Sequence, residues 1–109
     1  MRLSKTDHYW WPIAIEVQEE DGEITTLSGE FKFKRMREPE VDGIIKTSGA
    51  NDVAICRIVV CEWREFRDVE GEDIRFSGEN LNEVLSYPIA AAAIVRGWAR
   101  SLSAVHKKN

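Results

Sequence analysis

No apolar run in this chain reaches the about 18 to 20 residues needed to cross a bilayer. The first residues, Met1 to His8, are polar and lack the apolar centre of a secretion signal. The expectation is a cytoplasmic protein with no membrane partner. Histidine is nearly missing: His8 and His106 stand near the two ends, and neither is framed by a motif. A hydrolytic nucleophile would therefore lack the base that activates it. The sequence also has no Gly-rich phosphate loop, no zinc-ligand spacing and no calcium-loop pattern, so no cofactor, metal or catalytic residue is expected, and the chain does not read as an enzyme. Cationic excess is lacking too. Fifteen Lys and Arg against nineteen Asp and Glu give a net charge of -4, which excludes a sequence-independent grip on nucleic acid and attraction to an acidic membrane. The two cysteines, Cys56 and Cys61, lie five apart, about 140° around a helix axis, and read as small buried hydrophobes.

What is present is enough for one domain. The 109 residues are 43% hydrophobic and 31% charged, and a chain of this size buries about 60 to 70% of its unfolded surface without needing staples. The reading is a single domain, 1–109, made of a hairpin at about 9–34, a connection at 35–50 and a helical region at 51–105.

Between Tyr9 and Lys34 apolar residues alternate with period two: Trp11, Ile13, Ile15 and Val17, then Thr25, Leu27, Gly29, Phe31 and Phe33. This predicts an antiparallel hairpin, and the register selects its turn. A two-residue Asp21-Gly22 loop would oppose Val17 with Thr26 and mix the faces. Placing Glu20, Asp21 and Gly22 in the loop pairs Glu19 with Glu23, Ile15 with Leu27 and Trp11 with Phe31, with Gly22 at the left-handed position. The opposite face carries Trp10, Glu16, Gln18, Thr26, Glu30, Lys32 and Lys34.

Residues 35–50 hold charges, Pro39, Gly43 and Gly49 and read as a connection with one turn of helix at most. From Asn51, a candidate N-cap, Ile55, Val59, Trp63 and Phe66 recur at helical spacing. The β-branched residues between Val53 and Val60 would equally suit a buried strand. After an acidic Gly-containing turn at 68–73, Ser77 is placed to cap a short helix bearing Leu81, Val84 and Leu85. Pro88 then opens a last helix, whose stripe is Ala91, Ile94, Val95, Trp98, Leu102 and Val105, with Arg96, Arg100 and Lys107 on the far side. The fold class expected is α+β: an N-terminal antiparallel β-hairpin packed against a C-terminal helical region of about three helices.

Two charged clusters read as solvated surface. Glu62, Glu65, Asp68, Glu70, Glu72 and Asp73 lack the regular offsets of a calcium site. Lys32, Lys34, Arg35 and Arg37 lie beside Phe31 and Phe33, but alternation points the phenylalanines away from Lys32 and Lys34. The surplus is apolar. Four tryptophans are many for a small core, and large aromatics anchor protein interfaces. Trp10, on the polar face of the hairpin, and Val53, Val60 and Phe66, on an element apolar on several sides, are the candidate protein-binding residues.

The order Trp63, Phe66, acidic Gly turn, Phe76-Ser77, Leu81, Val84, Leu85, Pro88 and an Ala-rich helix through Trp98 to Leu102 resembles the tail assembly chaperones of long-tailed phages and prophages. The likeness covers roughly residues 55–102. It implies a non-enzymatic, cytoplasmic role in virion assembly, with the tape measure protein and the tail tube protein as partners and a possible homo-oligomer. It also implies absence from the mature virion. In many such systems a frameshift near the end of the gene yields a longer product, and Lys107-Lys108 is where a slippery A-rich stretch would be encoded. Two other readings fit the same composition: a structural tail or head-tail connector protein, and a small regulatory protein-binding module.

Overall fold

A computed structural model describes residues 3–103. Strand β1 (His8–Gln18) turns into β2 (Ile24–Lys34), helices α1 (Glu38–Ser48) and α2 (Asp52–Val59) follow, β3 (Val60–Arg64) returns to the sheet, and α3 (Gly78–Leu85) leads into α4 (Pro88–Ser101). The architecture is α+β, with a three-stranded antiparallel sheet in the order β1-β2-β3.

The hairpin has the register that alternation requires. Ile15 opposes Leu27 and Trp11 opposes Phe31. At the turn the Glu19 amide donates to the Glu23 carbonyl at 2.8 Å, and Gly22 takes a φ of +88°. Ile13, Ile15, Phe31 and Phe33 are buried on one face, with Trp11, Val17 and Leu27 half-buried around them. Against this face lies α4, antiparallel to β1, through Ala90, Ala91, Ala93, Ile94 and Trp98. Its far end is tied down where the Tyr9 hydroxyl donates to Ser101 Oγ at 2.6 Å while Ser101 donates on to the Trp98 carbonyl. The stripe expected along α4 is buried at Ala91, Ile94 and Trp98; Leu102, just past the helix, is exposed. Val105, His106 and Lys107 lie outside the described residues.

Two expectations are corrected. The segment 35–50 is no mere connection, since α1 runs for 11 residues. Its first turn holds Pro39, the Arg37 amide donates to Glu40 Oε1 at 2.9 Å, and Gly49 closes it at φ +65° with the Ala50 amide returning to the Ile45 carbonyl. Caps and end residues sustain this helix, and none of its residues is buried.

The second correction concerns 51–66. Asn51 does cap a helix, its side chain accepting from the Ala54 amide at 2.9 Å, but the helix ends at Val59 and Val60 is already extended. β3 then pairs with the open edge of β2, supplying partners to amides that a bare hairpin would leave exposed. Between Lys32 and Phe33 the pairing slips from Glu62 to Val60, so Cys61 is the extra residue of a bulge. That bulge puts Val60 and Trp63, three apart, on the same buried face, and so imitates helical spacing. From residue 51 onward the chain thus forms the three helices expected, α2, α3 and α4, with the strand β3 inserted after the first of them.

Candidate protein-binding cleft

Beyond the first turn of α4 the apolar face of the hairpin continues without a helix over it. There Ile15, Val17 and Leu27 form the floor of a cleft of about 580 Å³. One wall is the corner between α3 and α4, which contributes Val84, Tyr87, Ile89 and Ala90; the other is the loop after β3, which contributes Phe66, Val69 and Ile74.

Each wall is held by local chemistry. Ser77 caps α3 through the Asn80 amide at 3.0 Å, and the Asn80 side chain donates to the Arg75 carbonyl at 2.7 Å. Tyr87 precedes Pro88, whose ring disfavours helical backbone before it. It sits at φ −96°, ψ 114°, and its ring stays exposed. The opposite loop is a small hairpin closed by the Arg67–Asp73 bridge. Asp68 Oδ1 accepts from the amides of Glu70 and Glu72 at 2.9 and 3.0 Å, and the Ile74 amide returns to the Phe66 carbonyl at 2.8 Å. The loop holds Val69 outward on a backbone tied by these hydrogen bonds.

The exposure is large for such residues: Val69 is 61% exposed, Tyr87 57% and Ile89 45%. Three large side chains on the two facing walls, continuous with an apolar floor, make an interaction surface rather than scattered exposed residues. The charged residues lining the cleft, Asp68, Asp73 and Glu83, are all acidic.

The residues expected from sequence fall elsewhere, with one exception. Trp10 lies on the opposite face of the sheet, half-buried beneath Arg64, whose guanidinium carbon is 3.9 Å from the ring centroid, with the Lys32 ammonium 5.5 Å away. Val53 is half-buried against the core, and Val60 is 7% exposed and belongs to it. Phe66 is only 2% exposed, yet it forms part of the cleft wall. Reasoning from periodicity missed Val69, Tyr87 and Ile89. The signals were there: a valine inside an otherwise acidic turn, and Tyr87-Pro88-Ile89 placing two large apolar residues around a helix start.

The remaining polar clusters do not converge. Lys32 and Glu62 pair across the sheet at 3.8 Å, and Arg64 meets Glu30 at 2.7 Å. Among the described residues no group of three His, Cys, Asp or Glu could hold a metal ion, and no helix is long and apolar enough to cross a membrane. Cys56 is buried, its Sγ 3.7 Å from the Ala91 carbonyl, and burial, reinforced by Asp52, pushes its thiol up to about 12. No protein-family model, curated protein or solved structure matches this chain.

Proposed function

We propose that this chain is a non-enzymatic tail assembly chaperone of a long-tailed phage or prophage. It acts in the bacterial cytoplasm on the tape measure protein, hands it on to the tail tube protein, and does not remain in the mature virion. The observation that carries the protein-binding part is the cleft between the hairpin and the α3–α4 corner, with Val69, Tyr87 and Ile89 exposed around an apolar floor. A groove of this kind suits an amphipathic helix laid in by its apolar face. A long apolar helix awaiting its tube is such a client, and covering it keeps it soluble until tube subunits replace the cover. The client's identity rests on the resemblance of residues 55–102.

Co-expression with the tape measure protein of the same genome tests this reading. The expected outcome is a soluble tape measure that co-purifies with this chain, and loss of both with Ile89→Glu at unchanged thermal stability. An insoluble tape measure beside free chain, or this chain found in purified virions, overturns it.

A further inference from the structure

The cleft carries a charge pattern that narrows what it can hold. Asp68, Asp73 and Glu83 line it, and no Lys or Arg among the described residues does. Asp73 is engaged, its Oδ1 3.0 Å from Arg67 Nε. Asp68 and Glu83 form no ion pair among the described residues; Asp68 Oδ1 accepts from the amides of Glu70 and Glu72. Glu83 stands in the last turn of α3, which has no basic residue of its own, although Arg57 of α2 donates to the side chain of the neighbouring Asn82. A helix end of this sign favours cations and disfavours a carboxylate. The first turn of α4 opens on the same cleft and supplies about half a positive charge, roughly what the end of α3 removes. The balance over the cleft remains negative.

We propose that the occupant is a helix whose aliphatic stripe is flanked by Lys or Arg, with the cations seated on Asp68 and Glu83. This rests on the chaperone reading only for the identity of the client; the preference itself follows from the rim. An aliphatic stripe alone would bury Val69, Tyr87 and Ile89 while leaving both carboxylates at the edge of a newly dry contact. Acidic flanks would add repulsion there. Basic flanks answer both carboxylates and the end of α3 together. Because these groups stay at the rim, the selection is modest and sensitive to salt.

Two sets of probes test it. One is a series of overlapping peptides of about 20 residues covering the tape measure protein. The other is a pair of model helices of the same length with Leu at positions i, i+3, i+4 and i+7, flanked in one by Lys and in the other by Glu. Binding is measured by titration, and its place by the amide signals of Val69, Tyr87 and Ile89. The Lys-flanked helix is expected to bind about fivefold or more tighter at low salt, with the ratio falling toward one as salt rises. The Asp68→Asn/Glu83→Gln variant, which keeps the acceptor that holds the loop, should remove the preference at unchanged thermal stability. Tape measure peptides that shift the three signals should carry Lys or Arg within one turn of their aliphatic residues. Equal binding of the two model helices, a preference that survives the double variant, or binding that leaves the three signals unmoved overturns the proposal. A Lys-flanked helix that docks here while no tape measure peptide does sustains the charge preference and removes the chaperone reading. A tape measure peptide bound elsewhere does the reverse.

Discussion

Gly29 lies flat against Phe66: a Cβ on this residue in the middle of β2 would stand 2.8 Å from the Phe66 Cβ and 3.1 Å from its Cα. The approach follows from Glu65, whose φ of +54° ends β3 and turns the chain back over the sheet. Phe66 thereby reaches Phe31 and Trp63, at ring-centroid distances of 5.3 and 5.2 Å, and closes the rear of the cleft.

Gly29→Ala should therefore destabilise the fold by about 1 to 3 kcal/mol, the usual range for overpacking. Its thermal midpoint should fall by roughly 4 to 8 °C per kcal/mol. The ring also approaches, with Cδ1 at 3.0 Å, but the closest atom is the Phe66 Cβ, which any side chain longer than glycine keeps, so Phe66→Leu should fail to rescue Gly29→Ala. A double variant as stable as Phe66→Leu alone would mean that the ring, not the backbone, sets the limit.

Gly97 gives the contrasting case. A Cβ there would run into Ile13 Cδ1, the far end of a flexible side chain, with Ile13 Cγ1 already 3.7 Å away. Gly97 is also inside α4, where Ala is favoured over Gly by about 1 kcal/mol. The two effects oppose each other, so Gly97→Ala should cost less than Gly29→Ala. Ile13→Val removes Cδ1, and on that background Gly97→Ala should become stabilising. Chemical denaturation of the four variants of this cycle gives the coupling directly.

How far the fold could be read from the chain depended on what set each element. The hairpin was legible down to its turn because one buried face fixes a period-two register, and a slip would have opposed Val17 with Thr26. Ser77, Asn51 and Pro88 were legible because capping is local. α1 was not, because it owes little to a buried stripe, and Val41 and Ile44 are only half-buried. β3 was obscured by the Cys61 bulge, which spaces Val60 and Trp63 as a helix would, and by a partner, the edge of β2, that is distant in sequence. The cleft was the least legible feature. It is a region where the sheet outruns α4, a property of relative lengths and placement that no single segment carries.

Trp10 should contribute to stability and not to cleft binding. Its ring lies under Arg64, which is fixed in turn by Nη2 and Nε on Glu30 Oε1 at 2.7 and 2.8 Å. Trp10→Ala should cost about 1 kcal/mol, from a partly exposed cation–π contact and the loss of ring packing. Trp10→Phe should retain most of it. Binding of a Leu–Lys helix to the cleft, on the other face of the sheet, should be unchanged by either. A loss of binding with Trp10→Ala at full stability would make this face an interface as well.

Alkaline pH should loosen the protein through the buried Cys56 thiol, the half-buried Cys61 thiol and the Tyr9 hydroxyl. Burial raises the Cys56 thiol from 9.0 to about 12, and burial also raises Cys61 and Tyr9, the latter against the opposing pull of Ser101 and Arg35. In each the folded state holds its proton more tightly than the unfolded chain. The stabilisation from Cys56 is therefore complete below pH 9 and lost as pH climbs toward 12. Cys56→Ala should flatten that decline, at the expense of a small cavity beside Ala91. The same burial sets the order of thiol labelling. At mildly alkaline pH an aromatic disulfide reagent should modify the half-buried Cys61 first, and Cys56 only at the rate of unfolding. Equal labelling rates for the two thiols in the folded protein would mean that the contact between α2 and α4 opens far more readily than its packing implies.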